Sequence, residues 1–121
     1  MDYIKQRIKS FKYAFEGIRE VLQSQANPKI HLTVAIVTVI LASYIGLTRI
    51  EWCLIILCIV LVFSAETFNT SIEHLTNLVS PEYHPLAKKT KDAAAGAVLW
   101  VAMGACIVGL LIFLPKVVAI L

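Results

Sequence analysis

Charged residues are scarce in this chain, and that scarcity excludes an ordinary soluble domain. Asp, Glu, Lys and Arg together make up 16% of the 121 residues, whereas hydrophobic residues make up 59%. The mean hydropathy is +0.79. A chain of this length and composition forms at most one domain, so residues 1–121 are expected to form a single integral membrane domain.

Several motifs of cysteine and glycine chemistry are also missing. Cys53, Cys58 and Cys106 form no CxxC pair and lie in apolar segments, which predicts small buried side chains rather than a redox or metal site. The chain contains no GxxxxGK[ST] or GxGxxG loop and no HExxH motif. Glycine loops therefore give no indication of nucleotide binding, which would have to use other residues.

Three long apolar segments dominate the sequence, at about residues 30–48, 52–78 and 91–115. Each is close to the roughly 20 residues needed to cross a hydrocarbon core of about 30 Å. Ahead of them, residues 3–25 carry apolar side chains with helical periodicity and basic side chains on the opposite face. This pattern predicts an amphipathic surface helix in the membrane interface, with docking on another protein as the alternative. The expected fold is an all-α membrane protein with a surface helix and three transmembrane helices.

The distribution of positive charge predicts the orientation in the membrane. Six lysines and arginines precede the first span, and three lysines lie between the second and third spans. Arg49 alone lies between the first and second spans, and Lys116 alone follows the third. The positive-inside rule therefore predicts a multi-pass cell-membrane protein with its N-terminus and the loop at residues 80–90 in the cytoplasm.

The second apolar segment carries polar side chains where a lipid-facing helix should have none. They are Glu66, Asn69, Thr70, Glu73 and Asn77, whose spacing places all five on one side of a helix, here called the polar face. A charged side chain deep in a bilayer costs at least a few kcal/mol, so such residues usually face a bundle interior or a wet cavity. The polar face is therefore predicted to be a functional site.

The residue types of this region suit phosphoryl transfer, although they do not require it. That reaction needs a cation beside the phosphates, a metal held by carboxylate oxygens and a group that deprotonates the attacking hydroxyl. Lys91 could neutralise phosphate, Glu73 could hold magnesium, and the deeper Glu66 could take a proton from a lipid alcohol. An ion or proton pathway uses the same kinds of residue, and so does a polar network between packed helices.

Small residues open the third span. Ala93–Ala97, with Gly96 among them, would allow close helix packing. The same residues could instead wall a recess that admits a bulky ligand beside Lys91 and Asp92.

Two motifs resemble the signature of the prokaryotic diacylglycerol kinase family. They are ETFNTSIE at residues 66–73 and HPLAKKTKDAAAGAV at residues 84–98. The resemblance extends over nearly the whole chain, since the surface helix and three spans follow in the same order. The form of the second motif looks most like the branch that phosphorylates undecaprenol rather than diacylglycerol.

The resemblance implies an ATP-dependent lipid kinase that transfers the γ-phosphate of MgATP to the hydroxyl of a membrane lipid. It implies Glu66 as catalytic base with Asn69 in support, Glu73 as the Mg²⁺ ligand, and Glu66 and Ala95 beside the lipid alcohol. The residues assigned to the nucleotide site are Tyr13, Glu73, Glu82, Tyr83, His84, Lys91 and Asp92. The family also implies a homotrimer with sites between subunits, and no nucleic acid is expected as a partner.

The chain departs from the family pattern at three positions. Gln25 stands where a second metal-binding glutamate is usual, Gln6 where many members have an arginine, and Asn77 where an aspartate is frequent. A neutral amide binds a hard cation less strongly than a carboxylate, which predicts weaker metal affinity. The alternatives to a kinase are a small oligomeric membrane transporter and a non-catalytic relative. A conduction path has no need of the Lys91–Asp92 pair, which favours the kinase.

Several residues outside the two motifs are predicted to have no role in the reaction. His31 is predicted to lie in the membrane interface rather than to bind a ligand, and His74 to meet lipid headgroups or another subunit. The candidates for the apolar lining of a lipid path are Leu32, Ile36, Leu57 and Leu61.

Overall fold

The computed structural model describes residues 1–24 and 26–121, and these ranges form four helices without a strand. The helices are α1 (Asp2–Ser24), α2 (Ala26–Ile45), α3 (Arg49–Val79) and α4 (Pro85–Ile120). The last three are long and apolar enough to cross a membrane. The predicted fold class, a surface helix followed by three transmembrane helices, is confirmed. Gln25, which the sequence predicts to be a weaker metal ligand than glutamate, lies outside the described residues.

The helices that form the site are longer than a bilayer is thick. At about 1.5 Å per residue, the 31 residues of α3 and the 36 residues of α4 extend over roughly 46 and 54 Å, against a hydrocarbon core of about 30 Å. Both helices therefore reach from the apolar core into the aqueous interface. The polar face occupies the C-terminal part of α3, where this transition falls.

An antiparallel hairpin of α3 and α4 is the best packed part of the molecule. Ile55 and Val62 of α3 are buried together with Val98 and Ile112 of α4. Helix α2 contacts α3 over a shorter stretch, and most of its large apolar side chains are exposed. Such exposure suits a helix whose outer surface meets lipid tails instead of water.

The turn between α2 and α3 is tightly specified. Gly46 ends α2 in a left-handed conformation with φ 85°, which an L-residue adopts only with strain. Thr48 and Glu51 then form a reciprocal capping box at the start of α3. The Nζ of Lys116 lies 3.0 Å from the Oε1 of Glu51, which ties the far end of α4 to the same turn.

The connection between α3 and α4 is shorter than the predicted loop of residues 80–90. Helix α4 begins at Pro85, so only residues 80–84 are non-helical. Proline is well placed in a first turn because its missing N–H has no partner there. The backbone N–H of Leu86 donates to the Nδ1 of His84, 3.1 Å away, and completes the cap. Lys88, Lys89 and Lys91 therefore lie on a helix.

The first span also begins earlier than predicted. Helix α2 starts at Ala26 rather than near residue 30, because Asn27 and Pro28 belong to its first turn. Helix α1 contacts both α2 and α3. The Nε2 of His74 lies 3.4 Å from the Oε1 of Glu20 on α1, a contact within the chain that the sequence did not predict. The expectation that His74 meets headgroups or another subunit stays a prediction.

Candidate functional site

Among the residues that the structure describes, Glu66 is the most deeply buried charged residue, with 1% of its surface exposed. It lines a cavity of about 330 Å³ between α2, α3 and α4, here called the Glu66 cavity. Asn69 and Ala95 also line it, so the structure brings together the residues expected beside the lipid alcohol. The remaining lining residues are Asn27, Ile30, His31, Val98, Leu99 and Ala102.

His31 is the neighbour of Glu66 that the sequence interpretation missed. Its Nε2 lies 3.1 Å from the Oε1 of Glu66, a contact that the interpretation of His31 as an interfacial residue did not predict. That oxygen is buried and accepts no hydrogen bond of good geometry within residues 1–24 and 26–121. The signal available in the sequence was the position of His31, a titratable residue at the start of an apolar span.

The next turns of the polar face combine a carboxylate with amide and hydroxyl groups. The Nδ2 of Asn69 donates to the Oε1 of Glu73 at 3.2 Å, and Glu73 is half-buried. The Oδ1 of Asn69 and the Oγ1 of Thr70 are buried and have no hydrogen-bond partner in the described part of the chain. Buried polar atoms normally have partners, so oxygens left in this state point to a ligand or water.

A second cavity, of about 380 Å³, lies at the cytoplasmic end predicted for α3 and is here called the Lys91 cavity. The Nζ of Lys91 donates to the Oδ1 of Asn77 at 2.5 Å, and the Nζ of Lys88 lies 2.6 Å from the Oδ2 of Asp92. The structure thus brings together most of the residues expected to bind nucleotide. The Lys91 cavity is lined by Asn77, Ser80, Pro81, Glu82, Tyr83, His84, Ala87, Lys88, Lys91 and Asp92.

The polar face connects the two cavities. Glu66 and Glu73 are about 10 Å apart along the helix axis, and Asn77 lies about 6 Å further on. Asn69 and Glu73 occupy the turns between the buried carboxylate and the exposed lysines. A group transferred from the Lys91 cavity to the Glu66 cavity would therefore travel beside α3.

An apolar groove of about 340 Å³ extends from the Glu66 cavity into the membrane-spanning part. It shares Ile30, His31 and Ala102 with that cavity. The groove is otherwise lined by Val34, Ala35, Thr38, Ile55, Cys58, Ile59, Val62, Phe63, Ala105, Cys106 and Gly109. The predicted lining was wrong: Leu32, Ile36, Leu57 and Leu61 are exposed on the outer sides of α2 and α3.

Two predicted nucleotide residues, Glu73 and Tyr13, line neither cavity. Glu73 lies on the polar face between the cavities, and Tyr13 lies apart from both. The side chain of Tyr13 lies on α1 and is 63% exposed. No group of three or more His, Cys, Asp or Glu side chains within the described ranges could hold a metal ion by itself. A magnesium ion here would need oxygens from its substrate as well.

The sequence profile of the family described as prokaryotic diacylglycerol kinase matches residues 12–113. That match includes the second half of α1, all of α2 and α3 and most of α4. The chain belongs to the prokaryotic diacylglycerol kinase family.

Individual members of this family are similar to the chain over most of its length. The undecaprenol kinase of Bacillus subtilis (strain 168) is 47% identical over 108 residues, which cover 89% of this chain and 88% of that protein. The diacylglycerol kinase of Synechocystis sp. is 37% identical over 113 residues, or 93% of this chain and 65% of that protein. The diacylglycerol kinase of Escherichia coli (strain K12) is 28% identical over 92 residues, with coverages of 76% and 75%.

Membership of the prokaryotic diacylglycerol kinase family confirms both the predicted family and the predicted class of enzyme, a lipid kinase. It also agrees with the three apolar helices in making this a membrane protein. The transporter and the non-catalytic alternatives gain no support from these relatives.

Proposed function

We propose that this protein transfers the γ-phosphate of MgATP to the hydroxyl of a membrane alcohol, and that undecaprenol is a better acceptor than diacylglycerol. The observation that carries the proposal is the continuity of three spaces along α3. The apolar groove opens into the Glu66 cavity, and the polar face leads from there to the Lys91 cavity. A lipid alcohol and a nucleotide can thus approach one helix from opposite ends.

Glu66 is proposed as the general base on the acceptor side. The hydroxyl of the lipid enters the Glu66 cavity beside Ala95 and loses its proton to the carboxylate as the phosphoryl group arrives. The lipid O–H bond breaks, a P–O bond forms to the acceptor oxygen, and ADP leaves with the electrons of the broken P–O bond. The burial of Glu66 favours this step because it limits the access of water as a competing acceptor.

Lys91 is proposed to bind the phosphates on the nucleotide side, with Asp92 and the 82–84 segment completing the site. The ammonium of Lys91 is held by the neutral Asn77, and no carboxylate within residues 1–24 and 26–121 forms an ion pair with it. Because an ammonium has three N–H donors, Lys91 can bind the terminal phosphates while it keeps its bond to Asn77. Tyr13 would join this site from the surface helix.

The donor set around Glu73 suits Mg²⁺. Magnesium is usually held by one or two carboxylates together with substrate phosphates, and Glu73 lies beside Asn69, whose Oδ1 is buried without a partner. Glu73 would hold the ion, and Asn69 would orient Glu73. When bound, the ion would neutralise charge on the transferred phosphoryl group.

The preference for undecaprenol has two supports. A relative 47% identical to this chain is named undecaprenol kinase, and the route to Glu66 is lined mainly by apolar side chains. A polyprenol has one hydroxyl and little other polar surface to desolvate. Diacylglycerol must in addition place two ester groups, which are costly to bury without partners.

The assembly and orientation are part of the proposal. We infer a homotrimer, with the N-terminus and the loop at residues 80–84 in the cytoplasm where ATP is available. The family supports the trimer, and the positive-inside rule supports the orientation.

The proposal is tested by phosphoryl transfer from γ-labelled ATP to lipid. Purified protein in one detergent is offered undecaprenol or a long-chain diacylglycerol, and label is counted in the extracted lipid. We expect transfer to both, with the higher kcat/KM for undecaprenol, and loss of both in Lys91→Ala. Absence of transfer to either alcohol contradicts the proposed kinase reaction. A preference for diacylglycerol contradicts only the choice of lipid.

A further inference from the structure

The proposed reaction does not explain which group stabilises the buried carboxylate of Glu66. A carboxylate that is 1% exposed within a membrane-spanning segment needs a charge or a hydrogen-bond donor beside it. Asn69, one turn away, directs its amide N–H to Glu73 instead. Among the described residues, the ion-pair contact to Glu66 comes from the Nε2 of His31, 3.1 Å from its Oε1.

His31 also lies where the acceptor must pass. It lines both the apolar groove and the Glu66 cavity, and its side chain is 24% exposed. The imidazole therefore stands at the point where a lipid tail would give way to its hydroxyl. Its contact involves Oε1 of Glu66, so the second carboxylate oxygen is not used by His31.

We propose that His31 is the positioning residue of Glu66, an inference that rests on the proposed role of Glu66 as base. The 3.1 Å contact between Nε2 and Oε1 is not yet a well-aligned hydrogen bond. As the alcohol enters, the Nε2–H group donates to Oε1, fixes the carboxylate and stabilises its negative charge. The proton that leaves the lipid hydroxyl goes to Glu66, and His31 does not accept it. Such an orienting donor raises turnover without contributing to nucleotide or metal binding.

The geometry supplies a matched pair of substitutions. A glutamine amide reaches about as far from the backbone as the Nε2 of histidine, whereas an asparagine amide is shorter by one bond. His31→Ala should lower kcat by about 10- to 100-fold, the effect of losing one hydrogen bond to a charged group. His31→Gln should restore most of that loss, and His31→Asn should not. The KM for ATP and the half-saturating Mg²⁺ concentration should stay near their original values in all three.

Two further variants separate positioning from a general structural effect. His74 is the control, because it also faces a glutamate at 3.4 Å but both side chains are mostly exposed. His74→Ala should leave kcat nearly unchanged. In a Glu66→Gln background, His31→Ala should lower the remaining activity by less than about twofold, because two residues that act together are not additive. Thermal unfolding in detergent checks that each variant is folded.

Each outcome has one meaning. Three results overturn the positioning role. The first is a normal kcat in His31→Ala, and the second is a kcat in His31→Gln no higher than in His31→Asn. The third is a loss of activity from His31→Ala that is as large in the Glu66→Gln background as in the original protein. Loss of activity in His74→Ala comparable to that in His31→Ala overturns it as well. Absence of lipid phosphorylation by the unmodified protein instead contradicts the proposed function.

Discussion

Glu66 and Glu73 are two turns apart on α3, yet their surroundings differ. Glu66 is buried against His31 at the end of an apolar groove. Glu73 is half-buried and accepts a hydrogen bond from Asn69. A buried carboxylate suits proton transfer, and a half-buried one suits a hydrated cation. The two environments therefore support different roles for two residues of the same type.

Replacing Glu66 by glutamine tests the assignment of the base. Glu66→Gln keeps the shape of the side chain but removes its ability to take a proton, so kcat should fall by about 10² or more. Equilibrium binding of a nucleotide analogue should change little. Glu51→Gln, at the other end of α3, is the control and should keep its activity. Near-normal turnover in Glu66→Gln would remove this residue from the mechanism.

Gln25 gives a prediction about magnesium that follows from the sequence. Gln25→Glu would supply a carboxylate where the resemblance to the family implies a metal-binding glutamate, so the Mg²⁺ concentration for half-maximal activity should decrease. Gln23→Glu adds the same charge two residues earlier on an exposed position of α1 and should have a smaller effect. An unchanged or higher Mg²⁺ requirement in Gln25→Glu would place Gln25 outside the metal site.

Asn77 holds Lys91 ready for phosphate. Asn77→Ala removes the acceptor of the Lys91 ammonium, and the KM for ATP should increase by about two- to fivefold, as expected for an exposed polar contact of up to 1 kcal/mol. Asn77→Asp retains an acceptor and should stay closer to the original KM. An unchanged KM in Asn77→Ala would show that Lys91 needs no support from α3.

At the scale of helices, the turn between α2 and α3 fixes how the first span meets the hairpin. A Cβ at residue 46 would meet no atom within 4 Å, so Gly46 is required by its φ of 85° and not by space. Gly46→Ala should therefore lower the free energy of unfolding by about 1 kcal/mol. The lipid kinase activity of the folded fraction should not change.

Gly17→Ala is the matched control for that substitution. Gly17 lies within α1 and also has open space around its Cα. Alanine is the better helix former by up to about 1 kcal/mol, so this variant should be at least as stable as the original. Equal thermal stability of both variants would contradict the conformational role of Gly46.

The helices could be predicted from the sequence more reliably than the contacts between them. Apolar length and the polar face identified α3 and its orientation, because five polar residues on one side leave a single choice of buried face. Helix α2 is apolar nearly all round, and so its pattern could not show which side meets α3. Leu32 and Ile36 were therefore assigned to the wrong side of α2, and the contact of His31 with Glu66 was missed. On α3, Leu57 and Leu61 were assigned to the lining although they do not lie on the side that continues the polar face.

Helix ends were uncertain for a different reason. Hydropathy marks where lipid begins, but a helix continues until its backbone groups find caps. Pro85, capped by His84, starts α4 inside a stretch whose lysines suggested a loop. In the same way, Asn27 and Pro28 belong to α2 although the pair is typical of a turn.

At the scale of the whole molecule, the two proposed reactants would come from different phases. The Lys91 cavity lies among polar side chains of the α3–α4 connection, and the apolar groove lies within the membrane-spanning part of α2, α3 and α4. The assignment of residues to each phase was largely predictable, since it follows hydropathy. The connection between the phases was not, because it depends on how α2 packs against the hairpin.

The position of the apolar groove within the membrane-spanning helices has a kinetic consequence for the proposed acceptor. An acceptor that arrives sideways is dissolved in a two-dimensional solvent, and so its effective amount is a mole fraction of the bilayer. At saturating ATP, adding inert phospholipid to vesicles that hold a fixed quantity of undecaprenol should slow each enzyme molecule. Adding buffer to the same vesicles should leave that rate unchanged, whereas an acceptor captured from the aqueous side would respond to both dilutions.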